Sequence, residues 1–238
     1  MWWKKDKKER PFVSAVIPAA GSSTRMGAGT NKLMLELDGM PILARTLLAF
    51  ERCPLVDEIV IACRESDMMP YARLCEAFGI AKVSQIVRGG GSRSESVLCG
   101  VRACAGQADL VAIHDAARPL LRQSDLEQVI RDAAEHGAAC LTVPMKDSVK
   151  RVENGFITAD VARASLAAAQ TPQVFSRKKI EQALEQVAAR GLSPTDDCAA
   201  AELAGMRVFA TPGDYTNIKV TTPEDLVVAE AFLQEAEG

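Results

Sequence analysis

Short apolar runs rich in β-branched residues alternate along the chain with longer stretches whose apolar positions recur every three or four residues. The short runs predict strands over Phe12–Ile17, Glu58–Cys63, Lys82–Val87, Leu110–His114, Ala139–Pro144 and Met206–Ala210. The longer stretches predict helices over Ile42–Arg52, Ser66–Phe78, Ser94–Cys104, Ser124–His136, Arg177–Arg190, Asp196–Ala204 and Pro223–Glu235. Strand–helix–strand repetition requires βαβ crossovers, so the fold class is α/β, a mostly parallel sheet with helices on both faces. Helix starts carry their own signals. Ser124 with Glu127 reads as a capping box, and Pro223-Glu224-Asp225 sets proline and acids in a first turn.

One stretch breaks the rhythm. Around Glu153-Asn154-Gly155, Lys150–Val152 and Phe156–Thr158 alternate as the two sides of a β-hairpin. A hairpin there does not extend a parallel sheet, so it is expected to project as an arm over about 145–169 and to bury itself on a second subunit. No repeat or Pro/Gly/Ser-rich linker divides the rest. The organisation read here is a disordered basic leader over 1–10 and a single domain over 11–238.

Composition narrows the partners. The 238 residues are 48% hydrophobic and 25% charged, with a formal net charge of −3, which argues against a general nucleic-acid binder. The cationic start (Lys4, Lys5, Lys7, Lys8, Arg10) is short and interrupted by Asp6 and Glu9. No apolar run approaches the ~20 residues that cross a bilayer, so no membrane partner is expected. The run Phe12–Ala20 contains Pro18 and leads into a glycine loop, and it reads as a first strand rather than a signal sequence. Seven cysteines form no C-x-x-C pair and sit mostly in apolar segments, the usage of a cytoplasmic protein. With only His114 and His136, no His/Cys cluster for a structural metal exists.

Ligands of open parallel sheets bind beyond the carboxyl ends of the strands, and four segments there carry chemistry. Pro18-Ala19-Ala20-Gly21-Ser22-Ser23-Thr24-Arg25-Met26-Gly27 with Lys32 offers backbone N–H groups and two cations to an anion, though as a turn with solvated cations it reads equally well. It matches neither G-x-G-x-x-G nor G-x-x-x-x-G-K-[ST]. Gly89-Gly90-Gly91-Ser92-Arg93-Ser94-Glu95-Ser96 permits close approach to a flat ring at a helix start, where Ser94 serves as N-cap in the plainer reading. His114-Asp115-Ala116-Ala117-Arg118-Pro119 sets a carboxylate beside an arginine, suited to a Mg²⁺–phosphate site or to a simple surface ion pair. His114 itself reads as a half-buried strand residue. Asn217-Ile218-Lys219-Val220-Thr221 precedes the last helix and can direct Lys219 into the same crevice.

Taken with TPQVF and TDD, the segments PAAGSSTRMG, NK, GGGSRSESV, HDAARP and NIKVTTPEDL stand in the order and spacing of a known family. From about Val13 to Leu233 the chain resembles the 2-C-methyl-D-erythritol 4-phosphate cytidylyltransferases. HDAARP and NIKVTTPEDL are the specific motifs, whereas many sugar-nucleotide transferases share the glycine loop. The resemblance implies a Rossmann-like nucleotidyltransferase fold, a homodimer with an exchanged β-arm, and Mg²⁺-dependent transfer of CMP from CTP to methylerythritol phosphate in isoprenoid synthesis. It implies that Arg25 and Lys32 stabilise charge on the triphosphate. Ala19, Ala20, Gly21, Gly90, Arg93, Ser96 and Ala116 would cradle CTP, and Asp115 would lie near both substrates and the metal. Arg118, Ser148, Arg163, Thr171, Thr195 and Lys219 would hold the acceptor, with Arg163 serving the neighbouring subunit.

The chemistry implied suits these residue types. A phosphate monoester is already nucleophilic at neutral pH, and the obstacle is repulsion between two polyanions, so cations matter more than a Ser–His–Asp device. Arg25, Lys32, Arg163 and Lys219 are the residues expected to carry the reaction. Four positions depart from the family pattern: Ser23 where glycine is common, Asn31 and Leu33 around Lys32 where proline and glutamine are usual, and Ser148 where threonine is frequent. A cytidylyltransferase for another polyol phosphate, such as ribitol 5-phosphate, is the nearest alternative. A nucleotide-binding regulator has less use for four cations, and a nicotinamide enzyme lacks its glycine spacing.

Overall fold

The computed structural model describes residues 10–21 and 31–237. Eleven strands occur among them: β1 (Val13–Ala19), β2 (Glu36–Leu37), β3 (Met40–Pro41), β4 (Glu58–Cys63), β5 (Val83–Arg88), β6 (Leu110–Ile113), β7 (Ala138–Pro144), β8 (Val149–Glu153), β9 (Phe156–Val161), β10 (Ala167–Ser176) and β11 (Phe209–Pro212). The α-helices are α1 (Ile42–Arg52), α2 (Glu65–Ala77), α3 (Arg93–Ala103), α4 (Gln123–His136), α5 (Arg177–Ala189), α6 (Asp197–Leu203) and α7 (Pro223–Glu237). Seven strands form one sheet in the order β11-β7-β10-β6-β1-β4-β5. Every pairing in it is parallel except those of β10, which runs antiparallel to both β6 and β7.

Both faces of the sheet are covered, which is why β1, β4 and β6 are buried along nearly their whole length rather than at alternate positions. On one face α1, α2, α4 and α7 pack over Ala15, Ile17, Ile59, Ile61 and Leu110. On the other, α3, α5 and α6 pack over Val16, Val60, Val111 and Phe175. The spacing between α3 and β1 is set by Gly100, where an added Cβ would meet Val16 Cγ1 at 2.5 Å.

The expected hairpin forms. Strands β8 and β9 pair antiparallel in a sheet of their own, and the turn residues Asn154 and Gly155 take φ of 51° and 85°. Two successive positive φ values are what a tight hairpin turn requires, and Asn-Gly tolerates them at low cost. Beyond the hairpin, residues 167–169 pair with β7 and so belong to the main sheet.

Four sequence expectations need correction. Strand β10 had no counterpart in the hydrophobic pattern, because Gln170, Thr171, Pro172 and Gln173 interrupt it and the ladder with β7 is irregular between Ala169 and Gln173. The last strand begins at Phe209 rather than Met206, since Gly205 at φ 78° closes α6 and Met206 N–H still bonds back to Ala201. Helix α4 starts one residue early with no side-chain cap, and Ser124 donates to Asp125 at 3.2 Å instead of joining Glu127. Helix α3 is capped by Ser92, which accepts from Glu95 N–H at 3.2 Å, so Ser94 lies inside the helix.

Candidate active site

The loops after β1, β5 and β6 and the extended segment before α7 converge at the carboxyl ends of the parallel strands, as open α/β sheets dictate. They enclose a cavity of about 470 Å³ lined by, among others, Ala19, Ala20, Gly21, Lys32, Gly90, Arg93, Ser96, Asp115, Ala116 and Lys219. Ten residues singled out from sequence thus meet in one place. Its charged lining among the described residues is Lys32, Arg93 and Lys219 against Asp115, a net positive bowl of the size that small ligands occupy.

Each wall has a local cause. Ser96 is buried and accepts from Gly90 N–H at 3.1 Å while donating to Ser92 carbonyl at 2.9 Å, which folds the glycine turn over the start of α3. Glu95 accepts from Gly91 N–H at 2.7 Å. A Cβ at position 90 would stand 2.3 Å from that of Glu95, so glycine is required for this close approach. Helix α3 therefore points its N-terminus, with Arg93 as its first residue, at the cavity, and the partial positive charge there favours an anion.

Asp115 is the centre of the charge network. Lys219 Nζ lies 2.9 Å from its Oδ2, Arg93 Nη2 3.4 Å from its Oδ1, and Arg118 Nε 3.6 Å from its Oδ2. Burial by itself would raise this carboxyl, but Lys219 and Arg93 outweigh burial and hold it well below the usual carboxylate range. Lys219 reaches this position because its segment is stitched down. Val220 N–H donates to Ala117 carbonyl at 2.8 Å, and Arg118 donates to Asn217 carbonyl at 2.7 Å. Lys32 joins the same wall by donating to Val220 carbonyl at 3.0 Å. Asn31 aims it: its side chain caps the short turn Lys32–Met34 through Leu33 N–H and donates to Tyr71 at 3.0 Å. Leu33 is buried against the core and lines the cavity.

Not every predicted residue faces the cavity. Thr171 is buried beneath Asp115, because antiparallel β10 sets Gln173 opposite Ile113 at the end of β6, two residues from Thr171. Its hydroxyl accepts from Asp115 N–H at 3.1 Å and meets His114 Nδ1 at 3.0 Å. His114 is fully buried rather than half-buried, with Nε2 3.1 Å from Arg118 carbonyl. A carbonyl only accepts, so Nε2 carries the proton and Nδ1 accepts from Thr171. Burial lowers this imidazole to about 4, keeping it neutral. Arg163 lies at the arm's root, donating to Lys146 carbonyl at 2.5 Å and lining a second cavity of about 700 Å³. Ser148 and Thr195 are exposed in loops. Arg25, Ser23 and residues 1–9 lie outside the described residues.

Sequence reasoning passed over Asp197, the second partner of Arg93 at 2.8 Å. It stands in the TDD motif, two residues after Thr195, and only the fold carries it back to the glycine loop.

Residues 13–235 match the family model for IspD, 2-C-methyl-D-erythritol 4-phosphate cytidylyltransferase. The chain is 47% identical over 228 residues to the protein of that name from Geobacter metallireducens, covering 94% of this chain and 98% of the relative. It is 42% identical over 219 residues to the Bacillus licheniformis one, covering 92% and 94%. Among solved structures, 4-diphosphocytidyl-2C-methyl-D-erythritol synthase from Anaerococcus prevotii superposes with a TM-score of 0.84 at 30% identity, covering 94% of this chain and 96% of that one. The Thermus thermophilus cytidylyltransferase gives 0.77 at 29%, covering 94% and 99%.

Proposed function

Because the chain belongs to the 2-C-methyl-D-erythritol 4-phosphate cytidylyltransferase family, we propose that it transfers CMP from CTP to 2-C-methyl-D-erythritol 4-phosphate, releasing pyrophosphate, in isoprenoid precursor synthesis. The observation that carries this reading is the cationic cavity in which Lys32, Arg93 and Lys219 surround one carboxylate beside a glycine turn.

The reaction follows from that charge. A phosphate oxygen of the acceptor attacks the α-phosphorus of CTP in line, the new P–O bond forms, and the bond to the β-phosphate oxygen breaks with its electrons leaving on pyrophosphate. No general base is needed. Ser96 and the backbone of Ala20 to Gly21 and Gly90 to Gly91 shape the nucleotide's seat, and the α3 N-terminus with Arg93 faces its phosphates. Lys219 and Lys32 neutralise charge that accumulates on the transferring phosphoryl group. Thr171 acts beneath Asp115, through its backbone N–H.

Family membership implies Mg²⁺. The described residues contain no group of three His, Cys, Asp or Glu side chains able to cage an ion. They fit an ion carried chiefly by the triphosphate oxygens, with Asp115 as the protein carboxylate lining the cavity, since Mg²⁺ commonly takes one or two carboxylates and completes its shell from phosphates and water. When bound, it would supply further neutralisation of the triphosphate.

The reading extends to a homodimer. Val152, Phe156 and Ile157 are exposed on a hairpin that joins no other sheet, and such apolar surface supports burial against a second copy. Arg163 and Ser148 would then serve the partner's acceptor site. No described helix is long and apolar enough to cross a membrane. Six of the seven cysteines are buried free thiols, in keeping with a reducing, cytoplasmic setting.

Pyrophosphate release tests the assignment directly. CTP with methylerythritol phosphate is expected to turn over, and ATP, GTP or UTP, or ribitol 5-phosphate as acceptor, far more slowly. No release from the first pair refutes it.

A further inference from the structure

Arg93 touches two carboxyl groups, and only one of them lines the cavity. Its Nη2 lies 2.8 Å from Asp197 Oδ2 and 3.4 Å from Asp115 Oδ1, and its Nε lies 3.4 Å from the same Asp115 oxygen. Asp197 is fully buried and no part of the cavity wall. Its other oxygen, Oδ1, has no hydrogen-bond partner among the described residues, so Arg93 is the group its side chain addresses. Asp197 has no part in the transfer described above.

Its placement is heavily determined. Gln173, buried on β10, accepts at 3.0 Å from the N–H groups of both Asp197 and Cys198. The same amide donates to Asp196 at 2.9 Å, and Asp196 caps α6 through Ala199 N–H at 2.8 Å. The first turn of α6 is thereby locked to the sheet with Asp197 directed at the start of α3. So rigid a mount for a buried acid, ending on a single arginine, indicates that the arginine's pose is what matters.

The physical need is plain. A guanidinium pairs preferentially with a carboxylate through two parallel bonds. Beside Asp115 alone, Arg93 would settle into such a fork, occupying donors that a phosphate requires and neutralising the carboxylate at the centre of the site. Asp197 is the nearer partner and draws Nη2 away from the cavity, while Nη1 makes none of these bonds.

We propose that Asp197 is the positioning residue for Arg93, tethering the guanidinium from behind so that it meets the CTP phosphates instead of collapsing onto Asp115. The proposal rests on the CTP reading above and deepens it.

A double-mutant cycle with Arg93 tests it, read both as kcat/KM for CTP and as CTP affinity by titration calorimetry. Losing the tether of a buried Asp–Arg hydrogen bond is expected to lower both by about tenfold in Asp197→Ala, chiefly through KM, and by about threefold in Asp197→Asn, which keeps an acceptor oxygen and the shape. In an Arg93→Ala background the same changes are expected to lower neither quantity by as much as twofold, since the tether then has nothing to hold. An undiminished loss in that background overturns the proposal, because a general structural role is lost equally with or without Arg93. Should Asp197→Ala fail to fold, the Asp197→Asn cycle decides alone: a loss that disappears with Arg93 supports the tether, and no loss or a persistent one refutes it. Unmutated protein that neither binds nor turns over CTP sinks the cytidylyltransferase reading instead.

Discussion

The imidazole of His114 sits fully buried between the ring of Phe50, at 5.1 Å between centroids, and the hydroxyl of Thr171. Its two nitrogens tie Arg118 carbonyl to Thr171, and Thr171 in turn holds Asp115 N–H, so one neutral ring fixes both ends of the loop that presents the carboxylate. Protonation would put a second donor where Thr171 already donates. Burial holds the folded-state value near 4, below the ordinary 6.5, so the unfolded chain takes up the proton first as pH falls. His114 therefore contributes nothing to the pH dependence of stability above about 6.5 and destabilises increasingly between 6.5 and 4. By linkage the loss at pH 5 relative to pH 7.5 is about 2 kcal/mol. Asp115, held low, keeps its contribution until the pH falls below its ordinary value of 3.8, outside that window. Urea unfolding at pH 7.5, 6 and 5 should show the loss in the natural protein and a flatter profile in His114→Gln. Parallel profiles would remove His114 from this role.

At the level of elements, the contact between α3 and β1 decides where the helix N-terminus points. Gly100 lets the helix lie directly on Val16, which is fully buried and stiff about its first side-chain torsion. Gly100→Ala has two opposed effects. Helix propensity favours alanine by about 1 kcal/mol, while forcing a methyl to 2.5 Å from Val16 Cγ1 costs about 1–3 kcal/mol. Overpacking wins where neither partner can yield, so a net destabilisation of about 1 kcal/mol is expected in chemical denaturation. In a Val16→Ala background the clash is gone and the sign should reverse. The same geometry tilts Arg93, so CTP affinity should fall with Gly100→Ala and recover in the double variant.

For the whole molecule the open matter is how the arm relates to the cavity. Arg163 and Ser148 lie with the hairpin, apart from the bowl holding Lys219. If each complete site takes Lys219 from one subunit and Arg163 from the other, two crippled chains repair each other. Lys219→Met and Arg163→Leu should each lower turnover on the order of 10²–10³-fold, as expected for removing a cation that meets developing charge. Mixed one to one and allowed to exchange subunits, they should regain about a quarter of native activity, because half the dimers are mixed and each contains one intact site. Mixtures no more active than their components, or a monomer in sedimentation, would refute the shared site.

The alternation of strands and helices, the Asn-Gly hairpin and the glycine turns were legible because each depends on neighbours in the chain: periodicity, turn chemistry, a missing Cβ. Lys32, Asp115 and Lys219 were legible as candidates for a related reason, since charged residues beyond strand ends need explaining, whereas Arg93 was singled out only by the family resemblance. The polar strand β10 was not legible, because Gln170, Thr171 and Gln173 are buried by pairing with β6 and β7 and by bonds to Asp115, Asn217 and α6, all distant in sequence. Nor was the link from Arg93 to Asp197, 104 positions apart. Local chemistry determined which pieces form and which residues are reactive. Only the packed sheet decided which carboxylate meets which cation, because Coulomb attraction and hydrogen bonding act over a few ångströms of space and take no account of separation along the chain.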